Sequence, residues 1–476
     1  MIDILHYMFK ELNMAQLDYN PILDVDSYKA AHQFSYPKNV TGMTSYIEAR
    51  TKNDVIIPFG LSMYLQKYMT QRVTMAHIDE AEGFFKVHGE PFSREPWEHI
   101  VNEYQGFFPV VIRAVPEGTP VKSSNAIVTI TCQDPAVFWL SSYVETKIQR
   151  AIWYPTTIAS MDYAIKQVFK EFYEATGADM NLLSFALHDF GARGVASYEQ
   201  SEIGGAAHLV NFMGSDTVAG IRAANFYYKE PMAGFSVPAT EHSVQCSFGP
   251  DDEIGYLDHI ITNLAKPGGI VSIVIDGYDV YRAAQTLCTT LKDKIIASGA
   301  KVVFRPDSGD MQVVVPRILE LQAATFGYDV NEKGFKKVRH VGIIQGDGVD
   351  HLAIRSLLGK LKVMGYSADN VVFGSGGALL QKVNRDSFKF AQKASAVMID
   401  GKWVGISKDP ITDTGKRSKE GVLTLVKSNL TGEYSTARID QHRLDSEFED
   451  QMELVYYNGR IMVEPTLAEI RERCKI

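Results

Sequence analysis

Short apolar runs in this chain repeatedly end in turns loaded with charge or glycine: LSFALHDFGARG, GFSVPATEHS, VSIVIDGYD, KVVFRPDSGD, VGIIQGDGVD and VVFGSGGALL, with MGSDTVAG between the first two. They set His188, Asp189, Phe190, Arg193, Asp216, Glu241, His242, Asp276, Arg305, Asp307 and Asp347 at strand ends. If these residues face one pocket, they suit a sugar phosphate. Aspartates accept hydrogen bonds from ribose hydroxyls and help hold Mg2+. Clustered negative charge stabilises a cationic transition state, such as the oxocarbenium-like species of glycosyl transfer at the ribose anomeric carbon. Phe190 offers a face on which a planar base could stack.

The run NVVFGSGGALLQK adds a place for an anion. Val371 to Phe373 read as a buried strand, and Gly374-Ser375-Gly376-Gly377 then removes side chains before a helix-like ALLQK. Unpaired N–H groups at a helix start attract phosphate, with Gly376 and Gly377 as the cradle. A strand-to-helix turn without a ligand has the same composition, since a lone glycine loop is a weak motif. From Lys382 to Lys419 the chain carries nine basic residues against four acidic ones, a net +5 directly after the turn, which inclines Arg385 toward an anion. For the rest, an Asp after a strand also serves as a helix N-cap, and a lone His also serves as a satisfied core residue.

Positioning these residues requires repeated strand, turn and helix, the pattern of parallel βα units. Six or seven units between about residues 184 and 390 predict a closed or nearly closed βα barrel, whose strand C-termini converge on one mouth. The barrel domain is expected over 151–390, after an N-terminal extension (1–20) and an α+β segment (21–150) with a short capped helix in DVDSYKAAHQ. A long helix is expected over 155–178, with Ile158, Met161, Ile165, Val168, Phe169 and Phe172 at core spacing.

Bulk properties narrow the class. A chain of 476 residues, 45% hydrophobic and 22% charged, is globular and can bury one large core or two or three unequal ones. Its net charge of −9 argues against a nucleic-acid binder. Cys132, Cys246, Cys288 and Cys474 show neither zinc nor disulfide spacing, and no apolar run is of membrane-spanning length. A cytoplasmic protein is expected, with no membrane association.

DSYKAAH, HDFGARG, GSDTVAG, SVPATEHS, DGYDVY, RPDSGD, QGDGVD, FGSGGALLQKVNRD and KDPITDTGKRSK, in this order from about residue 20 onward, resemble the nicotinate/nicotinamide phosphoribosyltransferase family, on its nicotinamide-using side. The resemblance implies an α/β type II phosphoribosyltransferase fold. An irregular βα barrel would be joined by a second, mostly β α+β domain, formed when the C-terminal segment (391–476) packs with the N-terminal one. It implies transfer of phosphoribosyl from phosphoribosyl pyrophosphate to nicotinamide in NAD salvage, by a homodimer with shared active sites, using Mg2+ and, facultatively, ATP. Phe190 and Tyr28 would sandwich nicotinamide, with Tyr28 and Asp26 from the other subunit. Asp216 would accept from the carboxamide, Ser236 and Ser272 would line the same tunnel, and Arg193 and Arg305 would orient base and ribose. Asp307, Gly346 and Asp347 would hold ribose, and Gly376, Gly377 and Arg385 the phosphate. Arg50, Lys393, Lys408 and Lys416 would bind pyrophosphate or ATP phosphates. His242, oriented by Asp276, would carry a phosphate from ATP. Metal ligands are not implied.

Two departures stand out: a short connection from Arg50 to Phe59-Gly60, and Ala391 where animal members have serine. The alternatives are a nicotinate phosphoribosyltransferase and a non-catalytic ligand-binding relative. Asp216 argues against the first, because it would repel a substrate carboxylate.

Overall fold

In the computed structural model, which describes residues 18–412, 417–440, 444 and 446–475, both ends of the chain build one sheet. Its order is Lys402–Gly405, Ala391–Ile399, Val40–Glu48, Ala126–Cys132, Val111–Ala114, Glu453–Tyr457 and Arg460–Ile461. All neighbours are antiparallel. Val40–Glu48 is buried at nearly every position and is paired along both edges, with Ala391–Ile399 on one side and Ala126–Cys132 on the other. Trp97 anchors this core among Trp139, Tyr143 and Phe108, at ring-centroid distances of 5.3, 5.1 and 6.3 Å. Truncating it to alanine would remove about 3–5 kcal/mol. The extension expected over 1–20 lies, up to residue 17, outside the described residues. The helix expected in DVDSYKAAHQ is a 3-10 segment, Ser27–Phe34. Asp26 does not cap it; its carboxylate instead accepts from the Thr146 hydroxyl at 2.8 Å.

One helix, Glu145–Thr176, threads the whole molecule. It starts ten residues before the expected 155, so the expected boundary at 150 falls inside it. Pro155 does not break it, because the turn it loosens packs on Gly60. A Cβ there would lie 2.4 Å from Pro155 Cγ and 3.0 Å from the Ala151 carbonyl, and Gly60 holds φ 98°. Along this helix Ile148 and Ile152 join the core of the antiparallel sheet, Ile158 joins an intervening cluster, and Phe169 and Tyr173 join the barrel core.

The second sheet is parallel, in the order Gly214–Ser215, Leu187–Asp189, Val371–Ser375, Val341–Gln345, Lys301–Arg305 and Ile270–Val274. Residues 235–240 close it into a ring. Phe235 N donates to Met213 O (2.7 Å) and Ser215 N to Phe235 O (3.0 Å) on one side; Ser272 N donates to Pro238 O (2.9 Å) and Thr240 N to Ser272 O (3.0 Å) on the other. Pro238 has no N–H to give, so this seventh stave is irregular. The result is an α/β protein with an irregular βα barrel and a separate β-rich domain.

Candidate active site

The strand ends that converge on the barrel mouth carry aspartates in pairs three residues apart, and the pairs divide their labour. In DGYD, RPDSGD and QGDGVD the second aspartate caps the next helix. Asp279 accepts from Tyr281 and Arg282 N–H, Asp310 from Gln312, and Asp350 from Leu352 and Ala353. The first of each pair, Asp276, Asp307 or Asp347, is left for the mouth.

These three belong to one electrostatic cluster. Burial lifts the Asp307 carboxyl above the usual carboxylate range; Arg305 and His242 oppose the rise, while Asp276 and Asp347 add to it. Gly346 makes room for it, since a Cβ there would lie 2.4 Å from Asp307 Oδ1. Arg305 ends its strand with a buried Nε that has no hydrogen-bond partner. His242 Nε2 donates to Asp276 Oδ1 at 3.0 Å; the carboxylate is buried, while the imidazole is half-exposed and keeps Nδ1 free.

Beside this cluster lies a base-sized slot. Phe190 N donates to Ser375 O (3.0 Å), and its ring lies across Gly374. Asp216 N donates to Asp189 O (2.9 Å), which places Asp216 next to Phe190. Ser236 donates to Asp216 Oδ1 at 2.5 Å, leaving Oδ2 as an open acceptor. Behind the slot a cavity of about 310 Å3 runs into the barrel, lined by His188, Phe185, Ser236, Ser272 and Val303 and reaching Lys301 at the far strand ends. It is almost wholly apolar, and the buried Ser272 hydroxyl is unpartnered. Burial pushes the His188 imidazole down to about 4, so it is neutral at physiological pH. Arg193 is exposed on the turn Ala192–Gly194 at the edge of the slot.

The glycine turn answers differently at each position. At Gly374 what approaches the backbone is the chain's own Phe190. Gly376 and Gly377 are open: a Cβ on either would meet no atom nearer than 3.6 Å. The expected helix is a single turn, Gly377–Leu380. Beyond it the chain turns at residues 384–387, where the Asn384 and Ser387 side chains accept from backbone N–H groups, at 2.9 Å from Asp386 and 3.1 Å from Asn384. Arg385 is exposed and only loosely paired with Asp386, at 3.6 Å.

A second group lies on the β-rich domain. Burial lowers the Lys393 ammonium; nearby Arg50, Lys408 and Lys29 add to the fall, and Glu145 opposes it. Arg50 Nε pairs with Glu48 at 3.1 Å, and its buried Nη2 has no partner. Tyr28 is 55% exposed, beside Lys29, whose ammonium pairs with Glu145 at 2.7 Å. Asp26 and Tyr28 sit on this side too. Among the described residues no hydrogen bond or ion pair joins this group to the barrel mouth. Lys416 lies outside the described residues. Sequence reasoning missed Lys29 and Glu145, whose pairing joins residues 116 apart in the chain, and Glu48, whose place two residues before Arg50 was the local signal, as the adjacency to Tyr28 was for Lys29.

Comparison with known proteins gives the family and the fold. The family described as "Nicotinate phosphoribosyltransferase (NAPRTase) family" matches residues 185–460, and "Nicotinamide phosphoribosyltransferase, N-terminal domain" matches residues 20–112. The chain belongs to the nicotinate phosphoribosyltransferase family, and its barrel and β-rich domain are the type II phosphoribosyltransferase fold. Within that family it is 46% identical over 458 residues to the nicotinamide phosphoribosyltransferase of Xanthomonas campestris pv. campestris (strain 8004), covering 95% of this chain and 97% of the relative. It is 30% identical to the one from Acinetobacter baylyi (strain ATCC 33305 / BD413 / ADP1), again covering 95% and 97%. In fold it is similar to nicotinate-nucleotide pyrophosphorylase from Pyrococcus furiosus (TM-score 0.62, 16% identity, 97% of both chains). It is also similar to human nicotinic acid phosphoribosyltransferase (TM-score 0.55, 15% identity, 94% of this chain and 92% of that one).

Proposed function

We propose that the chain is a nicotinamide phosphoribosyltransferase, which joins nicotinamide to the phosphoribosyl group of phosphoribosyl pyrophosphate and releases pyrophosphate. The observation that carries the reading is Asp216: one carboxylate oxygen takes the Ser236 hydroxyl, and the other is an acceptor beside the Phe190 ring. A carboxamide N–H satisfies that acceptor, whereas a nicotinate carboxylate is repelled by it. Nicotinamide stacks on Phe190, and its ring nitrogen attacks the ribose anomeric carbon as the bond to pyrophosphate breaks. Asp307 and Asp347 stabilise the positive charge that develops and accept from the ribose hydroxyls, while Asp276 is engaged with His242. Arg305, with its unpartnered Nε, orients base and ribose. Gly376, Gly377 and Arg385 hold the 5′-phosphate, and Arg193 at the rim helps Arg305 to orient base and ribose.

The basic group Arg50, Lys393 and Lys408, with Tyr28 and Asp26, completes the site of a second copy in a homodimer. The exposure of Tyr28 and the unpartnered Arg50 Nη2 support this reading. Among the described residues no three His, Cys, Asp or Glu side chains could hold a metal together. Mg2+ therefore fits as an ion carried on the substrate pyrophosphate, with at most one or two aspartates assisting. His242 Nδ1, the nitrogen that Asp276 leaves free, takes the γ-phosphoryl group of ATP as ADP leaves, and later cleavage of the phosphohistidine by water releases phosphate, which couples ATP hydrolysis to transfer. The four cysteines are unpaired, and no described helix is long and apolar enough to cross a membrane, which fits a cytoplasmic location.

The test is mononucleotide formation from phosphoribosyl pyrophosphate and Mg2+, comparing nicotinamide with nicotinic acid, with and without ATP. Preference for nicotinamide supports the reading. Preference for nicotinic acid makes the chain a nicotinate enzyme, and no product from either base makes it a binding protein.

A further inference from the structure

The contact between His242 and Asp276 is bracketed by two side-chain ties. Two residues before each partner, Thr240 and Val274 close a ring of hydrogen bonds with Tyr256. Val274 N donates to Thr240 Oγ1 (3.0 Å), the Thr240 and Tyr256 hydroxyls share a 2.6 Å bond, and Tyr256 donates to Val274 O (3.0 Å). Just beyond the contact stands Gln245, on the same helix as His242 and fully buried. Its Oε1 accepts from Gly277 N at 3.0 Å, the residue after Asp276, and its Nε2 donates to Glu253 Oε1 at 3.2 Å. The other Glu253 oxygen takes Arg282 Nε at 3.0 Å.

The amide can sit only one way round, because the backbone N–H demands an acceptor and the carboxylate demands a donor. The fit is close: a Cβ at Gly277 would lie 2.4 Å from Gln245 Oε1. Glu253 and Tyr256 lie nearly one turn apart on the helix Glu253–Leu264, so a single helix backs both ties. The tie at Thr240 fixes where the histidine segment leaves the barrel wall. The tie at Gln245 fixes how its helix meets the loop that carries the carboxylate.

We propose that Gln245 is a positioning residue for His242, holding the imidazole in register with Asp276 so that Nε2 keeps its proton and Nδ1 faces the phosphate donor. The role rests on the phosphohistidine reading above. Because Gln245 touches neither the base slot nor the cradle, its loss separates the ATP-coupled step from phosphoribosyl transfer itself.

The experiment compares wild type, Gln245→Met and the swapped pair Gln245→Glu with Glu253→Gln. In the swapped pair the new carboxylate accepts from Gly277 N and the new amide bridges to Arg282, so the chain of donors and acceptors is rebuilt in reverse. Acid-labile phosphate on His242 after incubation with ATP is expected to form about a hundredfold more slowly in Gln245→Met. ATP-free transfer is expected to be unchanged, and the swapped pair to recover labelling. Wild-type labelling in Gln245→Met overturns the proposal, as does a parallel fall in ATP-free transfer or a folded swapped pair without recovery. If wild type itself is not labelled, the phosphohistidine reading fails, and nitrogen-15 NMR of His242 decides the positioning role. A single Nε2–H tautomer in wild type that becomes mixed in Gln245→Met sustains it; identical spectra overturn it.

Discussion

The ring of Phe190 occupies the space that any side chain at Gly374 would need: a Cβ there would lie 2.0 Å from Cε2 and 2.4 Å from Cδ2. The two residues come from adjacent parallel strands, with Gly374 opposite His188 and Ser375 opposite Asp189. Gly374→Ala is therefore expected to push the ring out of the slot. A stacking platform of this kind contributes about 0.5–1.5 kcal/mol, so KM for nicotinamide should rise roughly three- to tenfold. KM for phosphoribosyl pyrophosphate should stay the same. Steady-state kinetics with each substrate varied checks this, and an equal rise in both constants would remove the platform role.

Asp216 sets the choice of base. Asp216→Asn removes the charge while keeping an oxygen that can accept and the Ser236 contact. A hydrogen bond to a charged group contributes about 1.5–3 kcal/mol, so kcat/KM for nicotinamide should fall about ten- to a hundredfold. The ratio of nicotinic acid to nicotinamide use should rise. Equal efficiency for nicotinamide in wild type and variant would dismiss the role.

His188 makes the barrel acid-sensitive. Its folded value of about 4 lies below the ordinary histidine value near 6.5, so the unfolded chain binds the proton more readily between those limits. The stability it contributes is complete above pH 6.5 and falls as the pH drops towards 4, by up to about 3 kcal/mol. Glu117 works in the opposite sense. Burial raises it to about 7, so its contribution is present at low pH and lost as the pH rises through 7. His188→Gln isolates the first effect. The gap in urea midpoint between variant and wild type should shift in favour of the variant between pH 7.5 and pH 5, and a constant gap would refute the assignment.

Completion of each site by a second copy makes inactive variants complementary. Tyr28→Ala and Asp216→Ala, each inactive alone, should regain about a quarter of wild-type activity when mixed and allowed to exchange subunits, because half of the dimers are then mixed and each of those has one intact site. No recovery, with exchange demonstrated by a labelled subunit, would place both residues in the same half of the site.

The barrel was legible because parallel βα units write themselves as short apolar runs ending in polar turns, and LSFALHDFGARG, VSIVIDGYD, KVVFRPDSGD and VGIIQGDGVD all follow that grammar. The paired aspartates were visible too, but which of each pair caps a helix and which faces the mouth is a matter of direction, which composition does not encode. Residues 235–240 were legible as a unit, yet not as the irregular stave that closes the ring. Its bonds join Phe235 to Met213 and Pro238 to Ser272, partners chosen by the curl of the sheet. The start of the long helix was misplaced because Pro155 reads locally as a boundary, whereas Gly60, far away in the chain, packs against the loosened turn. Gln245 gave no signal at all. A glutamine on a short helix becomes meaningful only when the loop carrying Asp276 and the helix carrying Glu253 arrive beside it.

The antiparallel sheet has a consequence for the birth of the molecule. Thr44 must wait for Ala396 and Arg113 for Leu454 before their ladders can close. At bacterial or eukaryotic translation speeds that interval is roughly 20–70 s, during which the central strand emerges from the ribosome with an open edge. A nascent chain stalled anywhere in the barrel would display that edge to its neighbours on the polysome. Chaperone demand during synthesis should therefore peak before the last hundred residues appear, and then collapse once they are threaded into place.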